Sequence, residues 1–261
     1  LARAAQAVWP PVLFGAGFLL VWELIVELND IEVFLLPAPS AIWDALVANA
    51  SNVWEAAKVT GSNALVGLVL GVLLGVAMSF LLMRFRLLDE LTTPLAVAAN
   101  ATPLTIVLPI LNNMFSATSQ VGRRLMVMLI VFFVVLINVA KGLRQVKATH
   151  LELMRSYAAT PWEILLKTRV PNAIPYLFTA LKIVAPLSVI TAFVAEYFGG
   201  SQNGLGFRIT SNAATSKNDV MWAYVVGACA LGLTFYLISI WLENATTKRH
   251  GGQQSVIPNI T

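Results

Sequence analysis

The sequence predicts an all-α integral membrane protein with six transmembrane helices, and three observations carry that reading. Hydrophobic residues fill 58% of the 261 positions and charged residues only 11%, against about 25% charged in ordinary soluble proteins. Apolar runs of the length that spans a bilayer, about 20 residues, recur from one end of the chain to the other. Polar residues gather in a few interruptions, the longest of them at 147–175. The single cysteine, Cys229, sits in an apolar run, so there is neither a disulfide framework nor a thiol metal site. A net charge of +4 would suggest nucleic acid in a soluble protein. Here the cations lie at span ends and in the polar loop, where membrane topology accounts for them and no nucleic-acid partner is implied.

The first span is expected at Pro11 to Leu28, because no small-residue cleavage site follows the first nine residues and the apolar run simply continues. Glu23 and Glu27, one turn apart, are read as headgroup-level residues in preference to a proton relay, which would want deeper ionisable partners. Residues 29–59 are polar and on balance acidic. Within them Pro37 and Pro39 force an extended entry, and Ser40 is expected to cap a short amphipathic helix at the membrane interface. The second span, Thr60 to Met83, carries Gly67, Gly71 and Gly75, a spacing that lets helix backbones approach closely inside one subunit. Arg84 and Arg86 close it in a basic loop.

The third span, Leu91 to Phe115, is broken by Pro94, Pro103 and Pro109 and holds Asn100, Asn112 and Asn113. Freed carbonyls in a membrane need protein or a water-filled cavity. This span is therefore placed beside a translocation path, with Asn100 and Pro103 as path residues, and a kinked packing helix as the alternative. Gly122 to Leu143 is the fourth span.

It delivers the chain to the polar stretch, where two capping boxes are written: Thr149 with Glu152, and Thr160 with Glu163. Pro161 follows the second cap at the favoured first helical position. Two short helices are predicted, Leu151 to Tyr157 and Pro161 to Arg169, with Ala158 and Ala159 at the corner. Leu151, Met154, Ile164 and Leu165 give them an apolar edge, and Lys147, Arg155, Lys167 and Arg169 a cationic one. An amphipathic pair set between two membrane spans is a surface for another protein.

The fifth span, Ile174 to Tyr197, contains Lys182 and Glu196. Fourteen residues of straight helix bring them within about 40° of one face, with Ser188 and Thr191 between. This face is expected to line the translocation cavity, Glu196 near the outer gate and Lys182 nearer the cytoplasm. The competing reading has Lys182 snorkelling to headgroups and Glu196 holding the Gly-rich outer loop shut. Asn218 to Glu243 is the sixth span, closed by Lys248 and Arg249, and the tail 251–261 is expected to be disordered.

With both ends on one side, that side holds eleven cations: Arg3, Arg84, Arg86, Lys141, Arg144, Lys147, Arg155, Lys167, Arg169, Lys248 and Arg249. The other holds five, Lys58, Arg123, Arg124, Arg208 and Lys217, leaving Lys182 within the membrane. The excess makes both termini and the amphipathic pair cytoplasmic. No G-x-x-x-x-G-K-[ST] loop occurs, and the G-x-G of Gly204 to Gly206 is a weak match on the wrong side. His150 and His250 are far apart, no cluster has metal-ligand spacing, and no nucleophile stands beside a base. Neither catalytic nor metal residues are therefore expected.

At the polar stretch the chain resembles the permease subunits of binding-protein-dependent ABC importers. Their signature is Glu-Ala-Ala, a Gly six residues after the Glu, and a closing Ile-x-Leu-Pro. Glu152 takes the Glu position, Ala158 the Gly position, and Thr168, Val170 and Pro171 the closing positions, with Leu153 and Met154 in place of the alanines. The segment Leu36-Pro37-Ala38-Pro39-Ser40 is similar to one found after the first span in the nitrate, sulfonate and taurine branch. Ala195-Glu196 followed by Gly204-Leu205-Gly206 resembles the same branch.

The resemblance runs from Leu36 to Arg249 and implies the type I ABC importer permease fold. It also implies one transmembrane permease domain over 1–250, with a cytoplasmic helix-turn-helix coupling segment at 147–172. ATPase-coupling residues carried over on the motif are Glu152, Met154, Arg155, Tyr157, Ala158, Thr160, Pro161 and Pro171. Implied partners are a second permease subunit, identical or paralogous, two ATP-binding subunits that hold Mg-ATP, and an extracytoplasmic substrate-binding protein. The setting implied is the plasma (inner) membrane, and this chain itself needs no cofactor. The alternative class is an ion-coupled secondary transporter or channel, for which inverted repeats around membrane carboxylates would be expected and none is found. The solute stays open between small anions and pyrimidine or flavin vitamin precursors, with the run PLSVITAFVAEYFGG leaning toward the precursors.

Overall fold

The structure is a computed structural model that describes residues 2–84, 104–116, 119–198 and 203–247. Among these every regular element is helical: α1 (Ala2–Leu28), α2 (Pro39–Ala48), α3 (Ala50–Arg84), α4 (Leu104–Phe115), α5 (Val121–Arg144), α6 (Ala148–Ser156), α7 (Pro161–Ile164), a π turn (Leu165–Arg169), α8 (Val170–Phe198), α9 (Leu205–Ala214) and α10 (Asn218–Thr247). Five of the described helices are long and apolar enough to cross a membrane. The expected third span is represented by α4 and its internal Pro109. Pro94, Asn100, Pro103, Arg86, Lys248, Arg249 and the tail 251–261 lie outside the described residues.

The centre of the bundle is the seam of α3, α5 and α8, where Ala64, Val127, Val131, Val135, Val139, Leu143, Ala173, Ala180, Val184, Val189 and Ala192 are buried together. The glycines of α3 make it close. A Cβ on Gly67 would stand 2.5 Å from the Val127 Cβ, and one on Gly71 would stand 2.7 Å from the Met128 carbonyl oxygen. Gly75 meets Phe132 and Val135 in the same way, at 2.9 and 3.0 Å. The two helices therefore run parallel, each α3 glycine seated over an α5 valine. Small residues serve this purpose where lipid gives no hydrophobic drive for helix pairing.

α3 begins at Ala50, ten residues before the expected start. The polar residues Ser51, Asn52, Glu55 and Lys58 are only its exposed side. Val53, Ala56 and Ala57 are buried against Leu205, Ile209 and Tyr224, so packing overrides a stretch that reads as loop.

The helix at Pro39–Ala48 forms where predicted, but Ser40 is not its cap. Ala38 is the N-cap residue and Pro39 occupies the first turn. Ser40 instead donates its N–H to Glu23 Oε2 at 3.0 Å and its hydroxyl to Glu23 Oε1, so a carboxylate from α1 takes up the orphan donor. α9 is absent from the sequence expectation altogether.

Candidate functional site

At one end of the bundle α6, α7 and the π turn form the polar corner. α6 starts at Ala148 with Lys147 as its N-cap residue and no side-chain cap. The His150 N–H already donates to the Lys147 carbonyl at 3.0 Å. Thr149 thus lies inside the first turn, and the expected box with Glu152 does not form. The second box does: Glu163 N–H donates to Thr160 Oγ1 at 3.3 Å and Thr160 N–H to Glu163 Oε2 at 2.9 Å. Lys167 adds an ion pair to Glu163 at 3.1 Å.

Between the helices the chain turns through Ala158 at φ +53°. Ala158 N–H donates to the Arg155 carbonyl at 2.9 Å and Ala159 N–H to the Met154 carbonyl at 3.0 Å, the paired bonds of a Schellman ending. Glycine is the usual residue there, and alanine carries about 1 kcal/mol of strain. The corner is left-handed, as the Gly position of the resembling motif requires.

The corner stands on a rigid base. Arg169 Nη1 donates to the Leu143 carbonyl at 3.2 Å, Asn172 Nδ2 to the Gly142 carbonyl at 2.7 Å, and Tyr176 OH to Gln145 Oε1 at 2.8 Å. These bonds lock the C-terminal end of α5 to the start of α8.

The expected apolar edge of Leu151, Met154, Ile164 and Leu165 is half-buried against the rest of the chain. The outward apolar face consists of other residues, Leu153, Tyr157, Trp162 and Leu166, with Tyr157 76% and Trp162 65% exposed. Glu152, Arg155, Ala158, Thr160, Pro161 and Pro171 are exposed beside it. A helical wheel of the two predicted helices did not separate inward from outward, because the π turn and the corner set their rotation.

At the other end of the bundle, Glu196 is fully buried, together with Thr60, Asn63 and Arg123. Thr60 Oγ1 donates to Glu196 Oε2 at 2.7 Å and accepts from the Leu205 N–H at 2.9 Å. Gly206 N–H donates to Glu196 Oε2 at 3.3 Å, and Asn63 Nδ2 reaches Glu196 Oε1 at 3.4 Å. Asn63 also donates to Gln120 Oε1 at 2.8 Å and accepts from Arg124 Nε at 3.1 Å. Arg123 Nη1 donates to the Ser119 carbonyl at 2.8 Å and to Gln120 Oε1 at 3.1 Å. The first turn of α9 thereby closes over a carboxylate that belongs to α8.

Gly204 and Gly206 permit that closure. A Cβ on Gly204 would lie 2.2 Å from Glu196 Oε2, and one on Gly206 would lie 2.3 Å from the Phe193 carbonyl oxygen. The G-x-G here cradles the protein's own carboxylate.

This geometry corrects the cavity-lining expectation for Ser188, Thr191 and Glu196. Ser188 and Thr191 are buried in the α8 seam, donating back to the Ala185 and Leu187 carbonyls at 2.7 and 2.8 Å. The side of α8 that stays open carries Pro175, Thr179, Ile183, Ile190 and Tyr197. Lys182, half-buried, does not snorkel free: it pairs with Glu243 of α10 at 3.0 Å. Glu243 was invisible as its partner, since 61 residues separate them. Among the described residues no three His, Cys, Asp or Glu side chains gather as a metal site.

Among the described residues, five membrane-length helices stand around a glycine-packed seam, with a capped polar corner at one end and a carboxylate latch at the other, the plan of an integral membrane bundle. Residues 67–249 match the binding-protein-dependent transport system inner membrane component family, and the chain belongs to it.

The chain is 28% identical over 232 residues to a probable ABC transporter permease protein of Haemophilus influenzae, covering 89% of this chain and 94% of that one. It is 28% identical over 210 residues to the formylaminopyrimidine transport permease protein ThiX of Halalkalibacterium halodurans, covering 79% and 82%. It is 27% identical over 249 residues to the riboflavin transport system permease protein RibX of Chloroflexus aurantiacus, covering 92% and 91%. In fold it is similar to a chain of the MetNI methionine ABC transporter in an inward facing conformation, with a TM-score of 0.59 at 19% identity over 74% of this chain and 93% of that chain. The protein is a permease subunit of an ATP-driven importer of the type I fold.

Proposed function

We propose that the polar corner is where ATP hydrolysis is transmitted to this permease, through an ATPase subunit that seats on Leu153, Tyr157, Trp162 and Leu166. The observation that carries the reading is the exposure of four large apolar side chains on a corner whose backbone is otherwise capped and bonded. Aromatic residues raised on a rigid scaffold are the usual centre of a protein interface. Glu152, Met154, Arg155, Ala158, Thr160, Pro161 and Pro171 surround that face or shape its backbone. Two ATP-binding subunits would hold Mg-ATP, and a second permease, identical or paralogous, would complete the path.

The corner belongs on the cytoplasmic side with both termini, in the plasma (inner) membrane, by the excess of Lys and Arg at that end. An extracytoplasmic binding protein would then deliver solute to the end carrying α9. The open side of α8, Thr179, Ile183 and Ile190, replaces the buried polar residues as the place for the seam with the second permease and the path. For the solute we favour a small heterocyclic vitamin precursor, supported by the sequence run around Glu196 and by the ThiX and RibX relatives.

The experiment is copurification of the ATPase with the Trp162→Glu and Leu153→Glu variants. Loss of association with the permease still in the membrane is the expected result, and unchanged association with unchanged transport rejects the docking role. Mass spectrometry of the small molecule retained by the cognate binding protein tests the solute, and an inorganic anion or sulfonate there would overturn the precursor reading.

A further inference from the structure

The connection between α1 and α3 carries apolar surface that nothing among the described residues covers. Trp43 and Trp54 are each 64% exposed, and Val33, Phe34, Leu35 and Val47 are exposed with them. On a helical wheel the sides of α2 fall into three sectors. Ile42 and Ala45 are buried on the chain. Trp43 and Val47, about 40° apart, occupy the next sector, and Asp44 and Ala48 lie beyond them. The first turns of α3 repeat the order, with Val53, Ala56 and Ala57 buried, Trp54 on the flank, and Glu55 further round, paired to Lys58 at 2.8 Å.

Protein, apolar flank and water-facing flank are what a helix meets when it lies along a membrane protein at the lipid surface. Two tethers fix the level of this one. Glu23 holds the Ser40 N–H and hydroxyl, and Glu23 lies five residues, about 7.5 Å of helix, below the end of α1 at Leu28. Asn218 Nδ2, at the first residue of α10, donates to the Phe34 carbonyl. α2 is thus pinned beside the ends of three membrane helices, a little over one turn in from the end of α1; interfacial helices lie about 5–10 Å into the headgroup–acyl boundary. Tryptophan concentrates there because its ring is apolar and its N–H is not.

We propose that α2 and the first turns of α3 form a bracket seated in the lipid leaflet at the end opposite the polar corner. Trp43, Val47 and Trp54 are its anchors, and Glu23 is the residue that sets its depth. Its partner is the headgroup–acyl boundary of the bilayer, and its apolar flank continues the exposed side of α1, where Val21, Leu24, Ile25 and Leu28 face outward. The bracket holds the opposite end of the permease at a fixed height while the polar corner moves.

The test uses the transporter purified with its partner subunits, in nanodiscs of phosphatidylethanolamine and phosphatidylglycerol, with Cys229→Ser as background. Nitroxide labels go on Trp43→Cys, Trp54→Cys and Asp44→Cys. Labels at 43 and 54 should collide with oxygen and report a depth at the acyl boundary, while the label at 44 should favour a water-soluble nickel chelate several-fold. If 43 and 54 follow 44, the flank faces water or the binding protein and the proposal fails. It fails equally if both labels exclude oxygen and chelate alike, the result of cover by a second permease.

Native fluorescence supplies a check that needs no label, since Trp43→Phe should remove part of the quenching by lipids brominated near the carbonyl. No change there would count against the anchor. Glu23→Ala should move the label at 43 toward water, with Ser40→Ala moving it less. An unchanged depth in both would leave Glu23 without its assigned part.

Discussion

The two ends of the bundle are built on opposite plans. The polar corner is made of contacts between near neighbours: Thr160 with Glu163, Lys167 with Glu163, and Ala158 and Ala159 with the last turn of α6. The latch at the other end joins Thr60, Glu196 and Leu205, residues 136 and 145 positions apart. The corner is exposed and has apolar surface to spare, whereas the latch is buried and its polar atoms are bonded to one another. An end that must meet a partner can be locally rigid and still present a surface, while an end that must hold several helices together has to spend its polar groups internally.

Breaking the latch should therefore cost most. Glu196→Ala leaves Thr60, Asn63 and the Gly206 amide short of a partner in a buried site, at about 1–3 kcal/mol for each buried group left unsatisfied. A strong fall in thermal stability of the purified subunit is expected, with α9 opening to proteolysis, and an unchanged melting temperature would contradict the latch. Gly206→Val should come close to it, because its Cβ has only 2.3 Å to the Phe193 carbonyl oxygen.

The corner should respond in the reverse manner. Trp162→Glu is expected to cost little in stability and at least about tenfold in ATPase affinity, the scale of a buried aromatic anchor, as read by titrating the ATPase onto permease in nanodiscs. Thr160→Ala removes a cap worth about 1 kcal/mol, and its effect should appear as faster hydrogen exchange at Trp162 and Glu163. Smallest of all, Ala158→Gly relieves about 1 kcal/mol of left-handed strain while adding unfolded-state entropy that offsets part of it. A slight gain in melting temperature is expected, and a clear loss would show that the Ala158 methyl packs on something. Along α8, Ile190→Cys should label with a water-soluble thiol reagent during turnover more than Ser188→Cys, which lies in the seam.

The same division explains what could be read from the sequence. Five of the expected spans, the Gly67-Gly71-Gly75 stripe and the Thr160 box are encoded by residues a few positions apart, and apart from the early start of α3 they stand where periodicity and capping put them. Thr149 misled because two boxes of identical pattern differ only in where the preceding chain lets the helix begin. The first turns of α3 and all of α9 were missed because their helicity is decided by burial against each other. Glu196 and Lys182 were marked as notable by being charged within a span, but their partners, Thr60 and Glu243, come from other helices and leave no local trace. The latch reading of Glu196 was present beside the cavity reading, and no spacing rule could choose between them.

The π turn at Leu165–Arg169 has a mechanical consequence. Because α7, this turn and α8 follow one another without a loop, residues 161–198 form a single shaft of about 57 Å, with Trp162 at one tip and Glu196 near the other. A displacement applied at the corner would be carried along that shaft toward the latch and absorbed where the helix is soft. Those places are the wide π turn and the breaks in the hydrogen-bond ladder at Pro175 and Pro186. The shaft is jointed near its base, at the π turn and Pro175, and again above its middle at Pro186, so the stroke reaching Glu196 is set by how much of it these joints take up.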